Sequence, residues 1–314
     1  FRGSSCVLRD STFSGKTFQS SMSTKKKDKE NRGKNKRRTS EVAEYMTKHV
    51  NQGMLGDCWL LSAMSVLCTK PDLLERIFLD SPDMNDFGAY CFRLHEDGVV
   101  RSIVVDDRIP ANQMGLNGAQ PAFARPHLGS NDEVVLWPLL LEKAFAKLYG
   151  SYGAIEAGQV HEALMDMTGG LGEIISLKGQ NGAADNVDHL WAKLVHLRQN
   201  GHLLTAGSVG DSDAQMSPRG IVQGHAYSIM QVRQLHGGFR LVKLRNPWGQ
   251  GEWKGDFGAT SPLWTPELRA RLRYYSANDG IIWMPMRDFV CEFSCIYVCR
   301  IFPAESFDRQ VTQS

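Results

Sequence analysis

The sequence predicts an α+β fold in two subdomains, a helical first part and a β-rich second part. Three observations carry this. Apolar residues recur at helical spacing over 58–67 and 134–150. They alternate at strand spacing in several runs beyond residue 200. A polar, Gly/Asn-rich stretch, LKGQNGAADNVDH, separates the two regimes at 177–189. A chain of 314 residues is long for one core and sufficient for two packed subdomains.

Residues 1–40 are rich in Ser, Thr, Lys and Gly without sustained periodicity, and read as a lead-in with a flexible basic insert. EVAEYMTKHV (41–50) reads as a short helix or turn. CWLLSAMSVL (58–67) is a strongly apolar helix, and a second helix is expected over 71–79 with Pro71 at an early position. AYCFRLHEDGVVRSIVVDDRIP (89–110) alternates, and EDG at 96–98 signals a hairpin turn. VVLWPLLLEKAFAKLYG (134–150) returns to helical spacing and stops at glycine, as does HEALMDMTGG at 161–170. After the break, one helix is expected over 187–199. HLLTAGSV, GHAYSIMQVRQL, GGFRLVKLRN and IIWMPMRDFV then read as strands, and FVCEFSCIYVCRIF as a buried strand. TPELRARLRYY (265–275) reads as a helix capped by Thr265 ahead of Pro-Glu. The expected organisation is a lead-in over 1–40, a helical subdomain over 41–178, a β-rich subdomain over 179–305 and a tail over 306–314.

Composition narrows the class. With 42% hydrophobic and 9% aromatic residues the chain is globular rather than disordered. No apolar run reaches the ~18 residues of a membrane span. The chain starts at Phe1 without an apolar signal-like segment, which reads as a fragment. Seven scattered cysteines, an odd number, fit a reducing, cytoplasmic compartment better than a disulfide scaffold. Cys291, Cys295 and Cys299 are evenly spaced, but no clustered histidine completes a metal site. The net charge of +2 hides a local run: residues 25–38 hold nine basic and two acidic side chains, so the rest is mildly acidic. The bland reading of that run is a solvated face; the other is contact with an anionic membrane or polyanion. Nothing signals specific nucleic-acid recognition.

The chemistry-bearing stretch is QGMLGDCWLLSAMSVL (52–67). A buried cysteine is ordinarily a small hydrophobe. Cys58, however, falls at the first turn of a helix, where the dipole and free N–H groups favour the thiolate, the nucleophilic form. The glycines before it allow close backbone approach to a substrate. Gln52, six residues upstream, can donate its amide to an oxyanion; such a donor is worth roughly 3–4 kcal/mol of barrier. His225 opens GHAYSIMQV, at a strand end rather than inside one. Asn246, in NPWG, is by default a turn residue; as a third member it would hold the imidazole ring, and Trp248 would shield that bond from water. Cys, His and Asn in this chain order are what a papain-type cysteine protease requires. A transglutaminase-like acyl transferase shares the Cys–His order but takes Asp third, and Asn246 speaks against it.

The same stretch resembles the active-site helix of the calpains. VVDDRIP (104–110), LLEKAFAKLYGSY (140–152), GHAYSI (224–229) and RNPWGQGEWKGDF (245–257) resemble calpain blocks in the same order, and LRDSTF (8–13) is similar to the family's lead-in. The resemblance implies a two-lobed papain-like cysteine protease core. One lobe would carry Cys58 and Gln52, the other His225, Asn246 and Trp248, with protein substrates in the cleft between. It implies limited proteolysis, an oxyanion hole of Gln52 and the Cys58 N–H, and further domains in a longer chain. Conventional calpain cores also bind two calcium ions that align the lobes, and calcium needs six to eight oxygens. Here His49 stands where the first site has an acid, and Gly153 where it has a glutamate, with Glu156 nearby. Glu252 and Asp279 remain as second-site ligands, while Ala259 and Ile281 replace two others. The expectation is therefore chemistry without a cofactor and degraded calcium sites. The alternative, a catalytically silent calpain-like binding module, usually shows loss of Cys, His or Asn, and all three are present.

Overall fold

The structure is a computed structural model that describes residues 42–79, 87–112, 120–128, 134–178, 186–251, 253–275 and 278–302. The lead-in with its basic insert, the tail and Glu252 lie outside the described residues.

A short helix, α1, covers residues 42–47. Helix α2, Cys58–Leu67, buries every residue from Trp59 to Leu67, as an apolar run without a polar face must. Helix α3, Pro71–Glu75, starts on its proline and is shorter than the sequence suggests. Strands β1 (Ala89–Glu96) and β2 (Val99–Asp106) pair antiparallel with Glu96 opposite Val99. The two turn residues, Asp97 and Gly98, have φ of 51° and 78°. Two positive φ values are what a tight turn matching strand twist demands, so EDG supplies the turn it signals. Tyr90, Phe92 and Leu94 point one way into the core.

Two short pairs follow, β3 (Ala111–Asn112) with β4 (Gln120–Pro121) and β5 (His127–Leu128) with β6 (Val134–Val135). Helix α4 runs over Trp137–Leu148 and helix α5 over Val160–Thr168, ending at Gly169.

A six-stranded antiparallel sheet carries the second half. Its strands are β7 (Leu171–Ser176), β8 (Leu203–Ser208), β9 (Ala226–Gln234), β10 (Arg240–Arg245), β11 (Ile281–Pro285) and β12 (Phe293–Arg300). The order is β11-β10-β9-β8-β12-β7. Helices α6 (Val187–Gln199), α7 (Pro266–Leu272) and α8 (Met286–Glu292) accompany it.

Besides the shorter α3 and the start of 134–150, where Val134–Val135 pair as β6, two further segments depart from the sequence reading. IIWMPMRDFV and FVCEFSCIYVCRIF are not two strands. Pro285, lacking an N–H, closes β11, and Met286 and Phe289 are buried at helical spacing, so α8 intervenes before β12. Cys291 therefore lies exposed on a helix. The second is β7, which the sequence did not announce. As the sheet's edge it leaves Leu171 and Ile174 about half exposed and lacks clean alternation.

The core of the described residues forms three clusters. One gathers α2, α4, α5 and the hairpin, together with Leu203, Ala226 and Cys299 from the sheet. A second lies on the sheet under Trp191, Leu194 and Phe289. A third packs Phe257, Trp264, Leu272, Tyr274 and Trp283. Helix α2 lies against β8 and β9, where Ser228 Oγ donates to the Ser62 carbonyl at 2.8 Å. This packing brings the start of α2 to the start of β9.

The Thr265 cap is present: its Oγ1 accepts the Leu268 N–H at 3.2 Å. Thr265→Ala should lower unfolding free energy by about 1 kcal/mol, read from the urea midpoint at constant slope.

Candidate active site

Cys58 is the first residue of α2, with Asp57 at the N-cap. His225 immediately precedes β9, and Asn246 immediately follows β10, so neighbouring strands deliver both. His225 is 2% exposed and Asn246 equally buried. His225 Nε2 lies 2.9 Å from Asn246 Oδ1, which also accepts the Trp248 backbone N–H at 3.0 Å. An oxygen taking two such bonds is an acceptor, so Nε2 carries the ring proton and Nδ1 is left with a lone pair. Nδ1 is buried and has no hydrogen-bond partner. The Trp248 ring covers the imidazole, 4.8 Å between centroids at 53°.

The thiol sits beside this histidine through the backbone. The Ala226 N–H, next in chain to His225, reaches the Cys58 sulfur, as does the Trp59 N–H of the first helical turn. The sequence expectation of a favoured thiolate meets an opposing effect. Burial pushes the Cys58 thiol up to about 11, outweighing those N–H groups, and carboxylates at Asp57 or Asp213 would add to the rise. His225 goes the other way. Burial pushes it down to about 4, against the Asn246 bond and the Asp213 charge. Burial thus favours the neutral form of each group.

Gln52 is tied to the same loop, its backbone N–H donating to the Pro247 carbonyl at 2.8 Å. Its side-chain Nε2 donates to the Leu55 carbonyl at 2.7 Å, which engages one of two amide hydrogens. Gly53 is sterically required. A Cβ there would lie 1.4 Å from the Phe123 carbonyl oxygen. The close approach thus serves the protein's own segment, rather than the substrate contact expected from sequence.

A profile described as the calpain family of cysteine proteases matches residues 9–300. The chain belongs to the calpain family. Maize calpain-type cysteine protease DEK1 is 44% identical over 259 residues, covering 82% of this chain and 12% of that protein. Mouse calpain-12 is 35% identical over 271 residues, covering 83% of this chain and 35% of that protein. Human calpain-14 is 36% identical over 261 residues, with 80% and 36% covered. The chain thus spans about an eighth to about a third of the length of these calpains, which are long enough for several further domains.

At the first calcium position of the calpains the described residues are of the wrong chemistry for the ion. His49 is buried; its Nδ1 faces the Trp137 Nε1–H at 3.4 Å and its Nε2 has no partner. Burial pushes His49 down to about 3, and His127 and Arg245 act in the same direction. A neutral imidazole beside a guanidinium offers calcium no carboxylate oxygen, so the first position does not fit the ion. At the second, Asp279 pairs with Lys48 at 3.4 Å and accepts the Ile281 N–H.

Three residues at this site escaped the sequence reading. Asp213, exposed, acts electrostatically on both Cys58 and His225. Arg245 is buried, donating to the Val50 carbonyl at 2.8 Å and to Asn51 Oδ1 at 3.2 Å, and so joins the Gln52 segment to the residue before Asn246. Glu142, in the LLEKAFAK block, is buried against Asp57. The only signal for the last two was a charge within an otherwise apolar run. Among the described residues no helix is long and apolar enough to cross a membrane.

Proposed function

We propose that the chain is the two-lobed, papain-like core of a cysteine endopeptidase that makes limited cuts in proteins. The observation that carries this is the His225–Asn246 bond. It fixes the proton on Nε2 and leaves Nδ1 as a base, in a histidine whose next backbone N–H reaches the Cys58 sulfur. Nδ1 takes the Cys58 proton, and the sulfur attacks the peptide carbonyl as thiolate. The Cys58 backbone N–H and the remaining amide hydrogen of Gln52 stabilise the oxyanion. The imidazolium, held by Asn246 under Trp248, protonates the leaving amine. Water, activated by the same Nδ1, then releases the acyl group and restores the thiol. No step is routed through calcium.

The second reading, a silent calpain-like binding module, draws on one observation: His225 Nδ1 makes no hydrogen bond. Hydrolysis of casein in millimolar calcium or in chelator separates the two, together with mapping of the cysteine labelled by a peptidyl chloromethyl ketone. The endopeptidase reading expects cleavage in both conditions and label on Cys58. No cleavage and no label on Cys58 would favour the silent module, or a core that is idle without its further domains or a partner. Calorimetric titration should show no tight, stoichiometric calcium uptake; tight uptake would overturn the reading of His49 and Gly153.

A further inference from the structure

Asp57 is fully buried, and as a carboxylate neither of its oxygens has a hydrogen-bond donor. Its neighbour is another buried carboxyl. Glu142, 2% exposed, faces Asp57 at hydrogen-bonding contact from α4. Both Glu142 oxygens accept the Ala124 N–H, at 3.0 and 3.1 Å. Two buried carboxylates in contact cannot both be ionised without a large desolvation and repulsion cost. Among the described residues, a shared proton is therefore the one donor left for Asp57. The Ala124 N–H stabilises charge on Glu142, so the proton belongs on Asp57.

The pair is joined to both halves of the oxyanion machinery. Asp57 holds the N-cap position of the helix that begins at Cys58, and its side chain makes no capping hydrogen bond there. Ala124 belongs to the segment whose Phe123 carbonyl packs on Gly53 and whose Arg125 N–H donates to the Asn51 carbonyl at 2.8 Å. One carboxyl thus stands next in chain to the Cys58 N–H, and the other holds the segment that pairs with Asn51, next to Gln52. Among the described residues, the titratable groups facing the pair are Cys58 and Tyr152, and no cation contributes to either carboxyl.

We infer that Asp57 and Glu142 form a proton-sharing carboxyl pair that positions the Cys58 N–H against Gln52 and keeps negative charge away from the nucleophile. The inference rests on the endopeptidase reading for its catalytic meaning. The shared proton itself does not depend on that reading. Burial and the facing Glu142 hold the Asp57 carboxyl well above the usual carboxylate range, as an Asp57-bound proton requires.

The two conservative variants should behave differently. Asp57→Asn presents an amide N–H to Glu142, as protonated Asp57 does, and should keep Cys58 alkylation by iodoacetamide within about threefold of wild type. Glu142→Gln presents an amide N–H to Asp57 and so turns it into a carboxylate beside Cys58. Alkylation of Cys58 should then slow at least tenfold at pH 7.5, with its pH profile displaced to higher pH. kcat for casein should fall by a similar factor with KM little changed. Equal damage by both variants, or an unmoved alkylation profile in Glu142→Gln, would overturn the pair. Infrared spectra of the wild type provide a measure independent of variant folding and of turnover. A protonated-carboxyl carbonyl band should persist at pH 7.5, and its absence would also overturn the inference. Loss of casein hydrolysis in the wild type with the band and the alkylation asymmetry intact would refute the endopeptidase reading alone.

Discussion

Cys58→Ala should abolish casein hydrolysis while leaving the fold intact, with a rate loss on the order of 10⁵–10⁶, the scale seen when a triad nucleophile is removed. Cys58 is partly exposed at the start of α2, so losing its sulfur leaves little cavity and should change stability by less than about 1 kcal/mol. His225→Ala should match that loss, because Nδ1 is the free base and nothing else described carries it. Asn246→Ala should cost less, roughly 10²-fold, since it frees the ring without removing the base. The graded order follows from the geometry. Asn246 orients through one 2.9 Å bond, whereas Cys58 and His225 exchange the reacting proton. Activity surviving in Cys58→Ala would end the nucleophile assignment. An Asn246→Ala loss as deep as that of Cys58→Ala would mean that the asparagine does more than hold the ring.

Much of this site was legible because its code is local. Glycines before a cysteine before an apolar helix, a histidine at a strand mouth and Asn-Pro-Trp-Gly each state their own conformation. Family membership, now shown over residues 9–300, agrees with those blocks. The hairpin at Asp97–Gly98 and the Thr265 cap were legible for the same reason. What could not be read is set by distant packing. The helix dipole at Cys58 was visible in sequence, but the burial that outweighs it comes from β8 and β9 lying over α2. Glu142 is one charge in an apolar run, and nothing local says that α4 turns it toward Asp57. Gly53 looked like a substrate-approach glycine until Phe123 arrived against it. Helix α8 hid in a β-looking run because its 7 residues are too few for the i, i+3 spacing of Met286 and Phe289 to stand out between two strands.

Replacing His49 by glutamine should make the protein more resistant to acid than the wild type, with the advantage growing as pH falls. His49 titrates near 6.5 when unfolded, and burial pushes it down to about 3 in the fold. Between those values the unfolded chain holds a proton that the folded chain lacks, so His49 removes stability as pH falls below 6.5. The slope is about 1.4 kcal/mol per pH unit, or about 2 kcal/mol between pH 6.5 and 5. His225, pushed down to about 4, acts with the same sign. Asp57 has the opposite sign: the fold holds its proton above the usual carboxylate range, so it adds stability as pH falls through that window. The wild-type curve is the difference of these opposing slopes and should be shallow. The gap between wild type and His49→Gln isolates one of them, because a glutamine oxygen can still accept the Trp137 Nε1–H that His49 Nδ1 accepts. Urea midpoints for the two proteins from pH 7 to pH 5 measure that gap. A gap that widens by about 2 kcal/mol means that His49 is kept neutral by burial, at the position where calpain cores place a calcium-binding acid. A constant gap would mean that His49 is hydrated and titrates normally, and the first calcium position would then be open to water and cations after all.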